Sequence, residues 1–192
     1  MELYPIAIKT DSIHMNEDEF FRFCQDNPEL KLERNANGDI IIMAPTGYET
    51  GSYNLELSYQ VHHWNILNGR PGICIDSNTG ITLPNAAVRS PDVSWISNER
   101  NDVLTKDDIK KFAHVCPDFL IELRSVSDNL ETLKLKMQEY IDNGCRLGLL
   151  IDPMQKQVHV YQPGSLIIKA FSESITGEDV LPGLVLDLSF FK

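Results

Sequence analysis

Apolar residues alternate along the chain between short runs typical of strands and longer stretches with helical periodicity. The clearest unit is an apolar strand over Phe119–Leu123, a helix that starts near Asp128 and ends at Gly144, and a second apolar strand over Leu147–Ile151. Asp128 is expected to cap the helix, with Glu131 closing the capping box. The predicted core face of this helix is formed by Leu130, Leu133, Met137, Tyr140 and Ile141. This pattern favours two parallel strands joined by a right-handed helical crossover.

The first half of the chain predicts smaller elements. Asn16 and Glu19 have the spacing of a capping box and predict a helix start. An Asn-Gly pair between the apolar runs at 30–34 and 40–43 predicts a β-hairpin. Further strands are predicted at 73–76, 81–83, 92–96 and 158–161, and a short helix at 105–112.

A longer helix is predicted from about Gly51 to Asn68, where Gly69 and Pro71 follow as stop signals. Its apolar positions share one stripe, and one of its two adjacent histidines is expected to pack against the core. The stripe consists of Leu55, Tyr59, His62 and Ile66.

The chain has 192 residues, of which 42% are hydrophobic, 23% charged and 8% aromatic. This composition is that of an ordinary globular domain and excludes a disordered or collagen-like chain. No internal repeat or linker divides the sequence, so residues 1–192 are predicted to form a single domain. The element order predicts an α/β (α+β) fold with a mixed central sheet flanked by helices.

The net charge limits the kinds of partner that the protein is expected to bind. Seventeen basic against 28 acidic residues give a net charge of −11, which argues against a nucleic-acid coat or a binder of anionic membranes. A single cationic cleft can still exist in an acidic protein, because screening acts over roughly 10 Å. Apolar runs are too short for a membrane span, and Met1–Pro5 lacks signal-peptide character, so a cytoplasmic location is expected. The four scattered cysteines predict reduced thiols rather than a zinc site.

Glu122 is the unusual residue of the strongest predicted strand. Strand alternation places it on the opposite face from Ile121 and on the same face as Arg124. A carboxylate in such an apolar strand costs several kcal/mol unless a cation or hydrogen-bond donors compensate it. A Glu122–Arg124 pair or a solvated strand face would be the plain explanation.

Two other charged residues are candidates for a catalytic role. Asp92 begins a short strand, where a carboxylate is more often a turn or strand-entry residue. Lys136 lies at the edge of the buried face of the 128–144 helix, where a snorkelling surface lysine is the plain alternative. If two carboxylates and a lysine converge, the carboxylates can hold Mg²⁺ while the lysine serves the attacking water or stabilises the transition state.

Several motifs together resemble a family of bacterial restriction endonucleases within the PD-(D/E)XK nuclease superfamily, long catalogued as a domain of unknown function. They are Pro91-Asp92-Val93, the run from Cys116 to Ser125, Lys136-Met137-Gln138-Glu139-Tyr140, and shorter pieces around 43–51, 77–85, 144–153 and 181–183. The resemblance covers nearly the whole chain in the same order. The departure is Val126, where the family usually has proline.

The resemblance implies a twisted mixed sheet flanked by helices, with Asp92 and Glu122 as metal-binding carboxylates for Mg²⁺ or Mn²⁺. Lys136 matches the family's lysine, which has moved to the helix from the position that Arg124 occupies. Arg124 is then a candidate phosphate contact, and Glu49 a candidate third metal ligand. A carboxylate at a helix start also has a plain electrostatic explanation.

The leading hypothesis is a metal-dependent endonuclease that hydrolyses DNA phosphodiester bonds. Cleaving both strands with one site per chain favours a homodimer. The alternatives are a non-catalytic binding protein on the same scaffold, which the acidic charge suggests, and a nuclease for RNA or another phosphodiester. Fold analogy does not choose between these substrates.

Overall fold

Two six-stranded sheets and five helices organise the part of the chain that the computed structural model describes, residues 6–9 and 15–192. Met1–Pro5, on which the expected location depends, lies outside these residues. The helices are α1 (Glu17–Asp26), α2 (Tyr48–Leu67), α3 (Asn98–Asn101), α4 (Lys106–Lys110) and α5 (Leu130–Asp142). The strands are β1 (Ile6–Ile8), β2 (Lys31–Arg34), β3 (Ile40–Met43), β4 (Gly72–Asp76), β5 (Ile81–Thr82), β6 (Val88–Arg89), β7 (Val93–Ser97), β8 (Ala113–His114), β9 (Phe119–Leu123), β10 (Leu147–Asp152), β11 (Gln157–Gln162), β12 (Ser165–Ala170), β13 (Ile175–Thr176) and β14 (Val185–Leu186).

The central sheet has the order β12-β11-β10-β9-β7-β4, and only its β9–β10 pair is parallel. The second sheet has the order β1-β3-β2-β6-β5-β8 and contains the predicted β2–β3 hairpin. Strands β13 and β14 form a separate antiparallel pair. The mixed α+β fold class predicted from the sequence is confirmed.

The strand–helix–strand unit is confirmed as β9, α5 and parallel β10, but its predicted cap is wrong. Asn129, not Asp128, caps α5: its side chain accepts a hydrogen bond from the Thr132 amide at 3.0 Å. Asp128 instead accepts from the Ser125 amide at 2.7 Å, in the turn before the helix. Two adjacent residues can both act as caps, and the preceding turn uses the first of them.

The central sheet is covered on both faces. Phe119, Ile121 and Leu123 lie on the α2 side, in a cluster with Leu57 and Val61. Leu120 lies on the other side, in a cluster with Met137 and Tyr140 of α5. This confirms the predicted alternation of β9 and directs Glu122 towards α5.

Helix α2 buries the face opposite to the one that its apolar pattern predicts. Its buried side chains are Leu57, Val61, Trp64 and Asn65. The predicted stripe faces outward, with Leu55 71% and Tyr59 58% exposed. Both His62 and His63 are exposed, so the prediction that one packs against the core is wrong. Because the helix is apolar on two sides, periodicity alone does not identify the inner one.

None of the described helices is long and apolar enough to cross a membrane. The four cysteines are free, with Cys116 and Cys145 buried and Cys24 and Cys74 partly buried. Burial raises the pKa of the Cys24 and Cys74 thiols to about 11, so they remain protonated at neutral pH.

Candidate active site

Asp92 and Glu122 lie opposite one another on neighbouring antiparallel strands. Val93 of β7 pairs with Ile121 of β9, so the next positions, Asp92 and Glu122, face each other across the same ladder. Oδ2 of Asp92 accepts a hydrogen bond from the Leu123 amide at 2.8 Å, and Oδ1 accepts from the Asn54 side chain at 3.1 Å. The structure therefore brings together the two carboxylates that the sequence singled out.

Lys136 reaches into the protein from α5. Its ammonium lies 2.8 Å from Oε1 of Glu122 and 2.9 Å from Oε1 of Glu33, and its side chain is 11% exposed. The Tyr140 hydroxyl, one turn along the helix, donates to the same Oε1 of Glu122 at 2.9 Å. The snorkelling surface lysine is therefore the wrong alternative, and the cation that compensates Glu122 is Lys136 rather than Arg124.

Glu33 extends this pair into a buried charge network that sequence reasoning missed. It is 2% exposed, and its carboxylate accepts from the Ser90 amide at 3.0 Å and from Arg89 at 3.1 Å. Arg89 also pairs with Glu139 of α5 at 2.7 Å. The charge network thus runs in the order Glu122, Lys136, Glu33, Arg89 and Glu139. Two of its members come from the second sheet, so the network joins the two sheets through α5.

The pKa values follow from burial and from this crowding. Burial raises the pKa of Glu122 to about 7, and the neighbouring carboxylates Asp92 and Glu33 add to the effect although Lys136 opposes it. Burial also raises the pKa of Asp92, against the hydrogen bond from Leu123. For Glu33, burial acts upward, but Lys136 and Arg89 outweigh it and lower the pKa.

Lys136 is held as a cation. Burial acts to lower its pKa, but Glu122 and Glu33 outweigh burial and raise the pKa above its ordinary value of 10.5. Arg89 likewise has a raised pKa, because Glu33 and Glu139 outweigh its desolvation. The network therefore contains two fixed positive charges and, in Glu122, one carboxyl group that titrates near neutral pH.

The donor atoms suit a hard divalent cation. Asp92 and Glu122 provide carboxylate oxygens, and Oδ1 of Asn54 is buried without a hydrogen-bond partner in the described structure. Mg²⁺ and Mn²⁺ prefer such oxygen ligands and commonly keep several waters and substrate oxygens. Among the described residues no group of three or more His, Cys, Asp or Glu side chains is arranged to hold a metal. Water and substrate would thus have to complete the coordination.

The structure does not bring the other two candidates into this cluster. Glu49 is exposed in the first turn of α2 and accepts a hydrogen bond from Tyr53 at 3.0 Å. Arg124 pairs with the fully buried Asp152 at 2.8 Å, beyond the end of β9. Within residues 15–192, neither residue forms a hydrogen bond or an ion pair with Asp92 or Glu122.

Comparison with known proteins identifies the family to which this chain belongs. The model of the Uma2 family, described as "Putative restriction endonuclease", matches residues 17–189. The chain belongs to this family. No curated protein matches the chain.

A solved structure shares the fold. It is described as a putative nuclease belonging to DUF820 from Anabaena variabilis ATCC 29413. The match has a TM-score of 0.70 and 18% sequence identity, and it covers 90% of this chain and 94% of that one. At this identity the match establishes the fold, and it extends over almost the whole of both chains.

The titration of Glu122 predicts a pH-dependent stability. The native state keeps the Glu122 proton up to about pH 7, whereas the unfolded chain loses it near 4.5, so the folded protein binds more protons in between. Stability conferred by this site therefore falls as pH rises through that window. Relative to Glu122→Gln, wild type should lose up to about 3 kcal/mol of unfolding free energy between pH 4.5 and 7.5.

Urea unfolding of metal-free wild type and Glu122→Gln across this pH range measures the difference. Subtracting the two curves removes the contributions of carboxyl groups that do not interact with Glu122. Parallel curves would contradict the assignment of a raised pKa to Glu122.

Proposed function

We propose that this protein is a divalent-metal-dependent endonuclease of the PD-(D/E)XK type that hydrolyses DNA phosphodiester bonds. The observation that carries the proposal is the cross-strand pair Asp92 and Glu122 with Lys136 at 2.8 Å from Glu122, in a chain of the restriction-endonuclease family. Burying two carboxylates beside each other is costly, and a bound cation would offset that cost.

Asp92 and Glu122 would hold Mg²⁺ or Mn²⁺, with Oδ1 of Asn54 able to accept a hydrogen bond from a coordinated water. The metal would neutralise charge on the phosphodiester and lower the pKa of the attacking water. The Leu123 amide and the Asn54 side chain orient Asp92. Glu49, whose carboxylate accepts a hydrogen bond from Tyr53, is kept as a proposed third contributor to the metal site and would act through a bridging water.

Lys136 would act as a fixed cation. A general base must be neutral to accept a proton, and the two carboxylates around Lys136 favour its charged form. Its expected role is to donate hydrogen bonds to the water or to a phosphate oxygen and to stabilise the negative charge of the transition state. Glu33 positions it, since this carboxylate of the second sheet holds the ammonium at 2.9 Å.

DNA is the proposed substrate despite the acidic surface. Lys31 lies on the same face of β2 as Glu33, since the two are separated by one residue, and its charge acts on Asp92. Lys31 and, beyond the end of β9, Arg124 are the proposed phosphate contacts. Cleavage of both strands by one site per chain would be carried out by a homodimer.

Nicking of supercoiled plasmid tests the proposal. Wild type should convert the plasmid with Mg²⁺ or Mn²⁺ and not with EDTA, and Asp92→Asn should lose at least about a hundredfold in rate, because it weakens the metal site. Asp118→Asn is the matched control, and circular dichroism checks that both variants are folded. Asp118 is also buried, but it pairs with Arg100 at 3.2 Å, outside the charge network.

Loss in Asp92→Asn but not in Asp118→Asn is the expected result. Equal nicking by all three proteins would contradict the assignment of the active site, because a contaminant would then be responsible. If wild type cleaved only RNA under the same conditions, the substrate class would be wrong and the site right. Folded wild type without metal-dependent cleavage of either nucleic acid, over a panel of DNA sequences, would favour the non-catalytic binding protein.

A further inference from the structure

The outward face of α2 carries a regular apolar row that no other element covers. We define the outer stripe as Tyr48, Ser52, Leu55, Tyr59, His62 and Ile66. Four of its members are large and exposed: Tyr48 is 97%, Leu55 71%, Tyr59 58% and Ile66 42% exposed. Within the described chain, the outer stripe makes a single ring contact, the stacking of Tyr59 on His63 of the same helix with ring centroids 5.3 Å apart. Apolar rows of this length on a folded chain mark interaction sites.

The spacing of the outer stripe is that of a helix–helix seam. Its members follow one another at intervals of four, three, four, three and four residues, which are the alternating steps of a heptad repeat. The inner face of α2 is independently satisfied, because Leu57 and Val61 are fully buried against the central sheet. The outer stripe is therefore available for a second helix.

The charges on α2 exclude some partners and favour another. The helix contains no lysine or arginine, and its two acidic residues, Glu49 and Glu56, both lie in its N-terminal half and are exposed. A surface without cations would repel DNA phosphates and anionic lipids. The C-terminal half carries His62 and His63, so an identical helix running in the opposite direction offers complementary groups.

We propose that two copies of this chain form a homodimer through antiparallel packing of their α2 helices along the outer stripe. A single two-fold axis generates three layers of contacts along the seam. Leu55 packs on Tyr59 of the second copy, Ser52 on His62, and Tyr48 on Ile66. The same arrangement puts Glu49 beside His63 of the second copy and opposes the helix dipoles. Glu56 alone meets its own counterpart, at the exposed rim, where charges are well screened.

A parallel pair would be less favourable. It would pair each residue of the outer stripe with its own counterpart, so that Ser52 and His62 form polar layers of their own, and it would align the two helix dipoles. The antiparallel arrangement also leaves Asn54, which contacts Asp92, on the inner side of each helix. The interface therefore lies behind the site and does not occupy it.

Sedimentation velocity of the full-length chain over a concentration series tests the interface. Wild type should sediment as a dimer that dissociates on dilution, and Leu55→Glu should weaken dimerisation at least tenfold, because it puts a charge into the central layer. Val103→Glu is the matched control, since Val103 is 79% exposed but lies between α3 and α4. It should dimerise like wild type. Circular dichroism and thermal melting check that each variant is folded.

The antiparallel order of the layers is tested by mixing. Leu55→Glu and Tyr59→Lys chains should each dimerise poorly alone, yet form a heterodimer when mixed, because Glu at 55 then faces Lys at 59 of the other copy. A monomeric wild type, an unaffected Leu55→Glu dimer, equal weakening by Val103→Glu, or no recovery on mixing would each overturn the proposal. The inference locates the homodimer proposed above but does not depend on catalysis. Plasmid cleavage and sedimentation can therefore fail independently.

Discussion

Glu122→Gln is expected to abolish metal-dependent cleavage and, above pH 7, to make the protein more stable. The amide removes a carboxylate that would hold the metal, so the rate should fall by at least about a thousandfold. It also removes a charge that burial and the neighbouring Asp92 and Glu33 disfavour, while Lys136 keeps Glu33 as its counter-ion. The gain in unfolding free energy should approach about 3 kcal/mol, the same free energy that the raised pKa represents.

The opposite signs of these effects are diagnostic. Plasmid nicking gives the activity, and urea unfolding at pH 8 without metal gives the stability. Isothermal titration with Mn²⁺ should detect binding to wild type and not to Glu122→Gln. A variant that lost activity together with stability would instead indicate a structural role for Glu122, and a variant that kept its activity would place the metal elsewhere.

Lys136→Met is expected to have the largest effect on folding. It would leave Glu122 and Glu33 buried without their shared cation, and breaking a buried ion pair from one side typically costs about 3–5 kcal/mol. Removing Glu122 as well, in a Glu122→Gln/Lys136→Met double variant, should restore much of the loss. Urea unfolding of the four proteins completes a double-mutant cycle.

Variants of Lys136 also distinguish two catalytic roles, that of a fixed cation and that of a general base. If Lys136 is a fixed cation, Lys136→Arg keeps part of the activity, whereas Lys136→Met loses at least about a hundredfold. The comparison is made on the folded fraction of each variant. Equal inactivity of both variants, with full folding of Lys136→Arg, would favour proton abstraction by the lysine instead.

The sequence was most informative where local pattern and tertiary packing agree. The β9–α5–β10 unit could be predicted because its apolar periodicities are unambiguous, and the alternation within β9 correctly turned Glu122 away from Ile121. The importance of Asp92 and Lys136 came from family resemblance rather than from pattern. Each is an ordinary charged residue in its own segment, and only the pairing of β7 with β9 and the packing of α5 on the sheet bring them together.

Glu33 could not be found by the same reasoning. It is one charged residue in a short hairpin strand, and Lys136 lies 103 positions further along the chain. A charged residue in a strand is normally solvated, and the contact depends on how the second sheet docks against α5. The buried face of α2 was predicted wrongly for a related reason. The helix has two apolar faces, and the element that packs against the helix determines which of them is buried.

The β2–β3 hairpin gives the site a dependence on strand register. Glu33 pairs with Ile41 in the hairpin, and its neighbours Leu32 and Arg34 point the other way, towards Phe20 of α1. A slip of one residue would exchange these faces, replacing the carboxylate beside Lys136 with an apolar or a positively charged side chain. Insertions or deletions at 35–39 that keep Glu33 on the face towards Lys136 therefore preserve the counter-ion of the lysine. Changes that turn Glu33 to the opposite face remove this counter-ion. A surface turn with no chemistry of its own constrains which mutations the active site can tolerate.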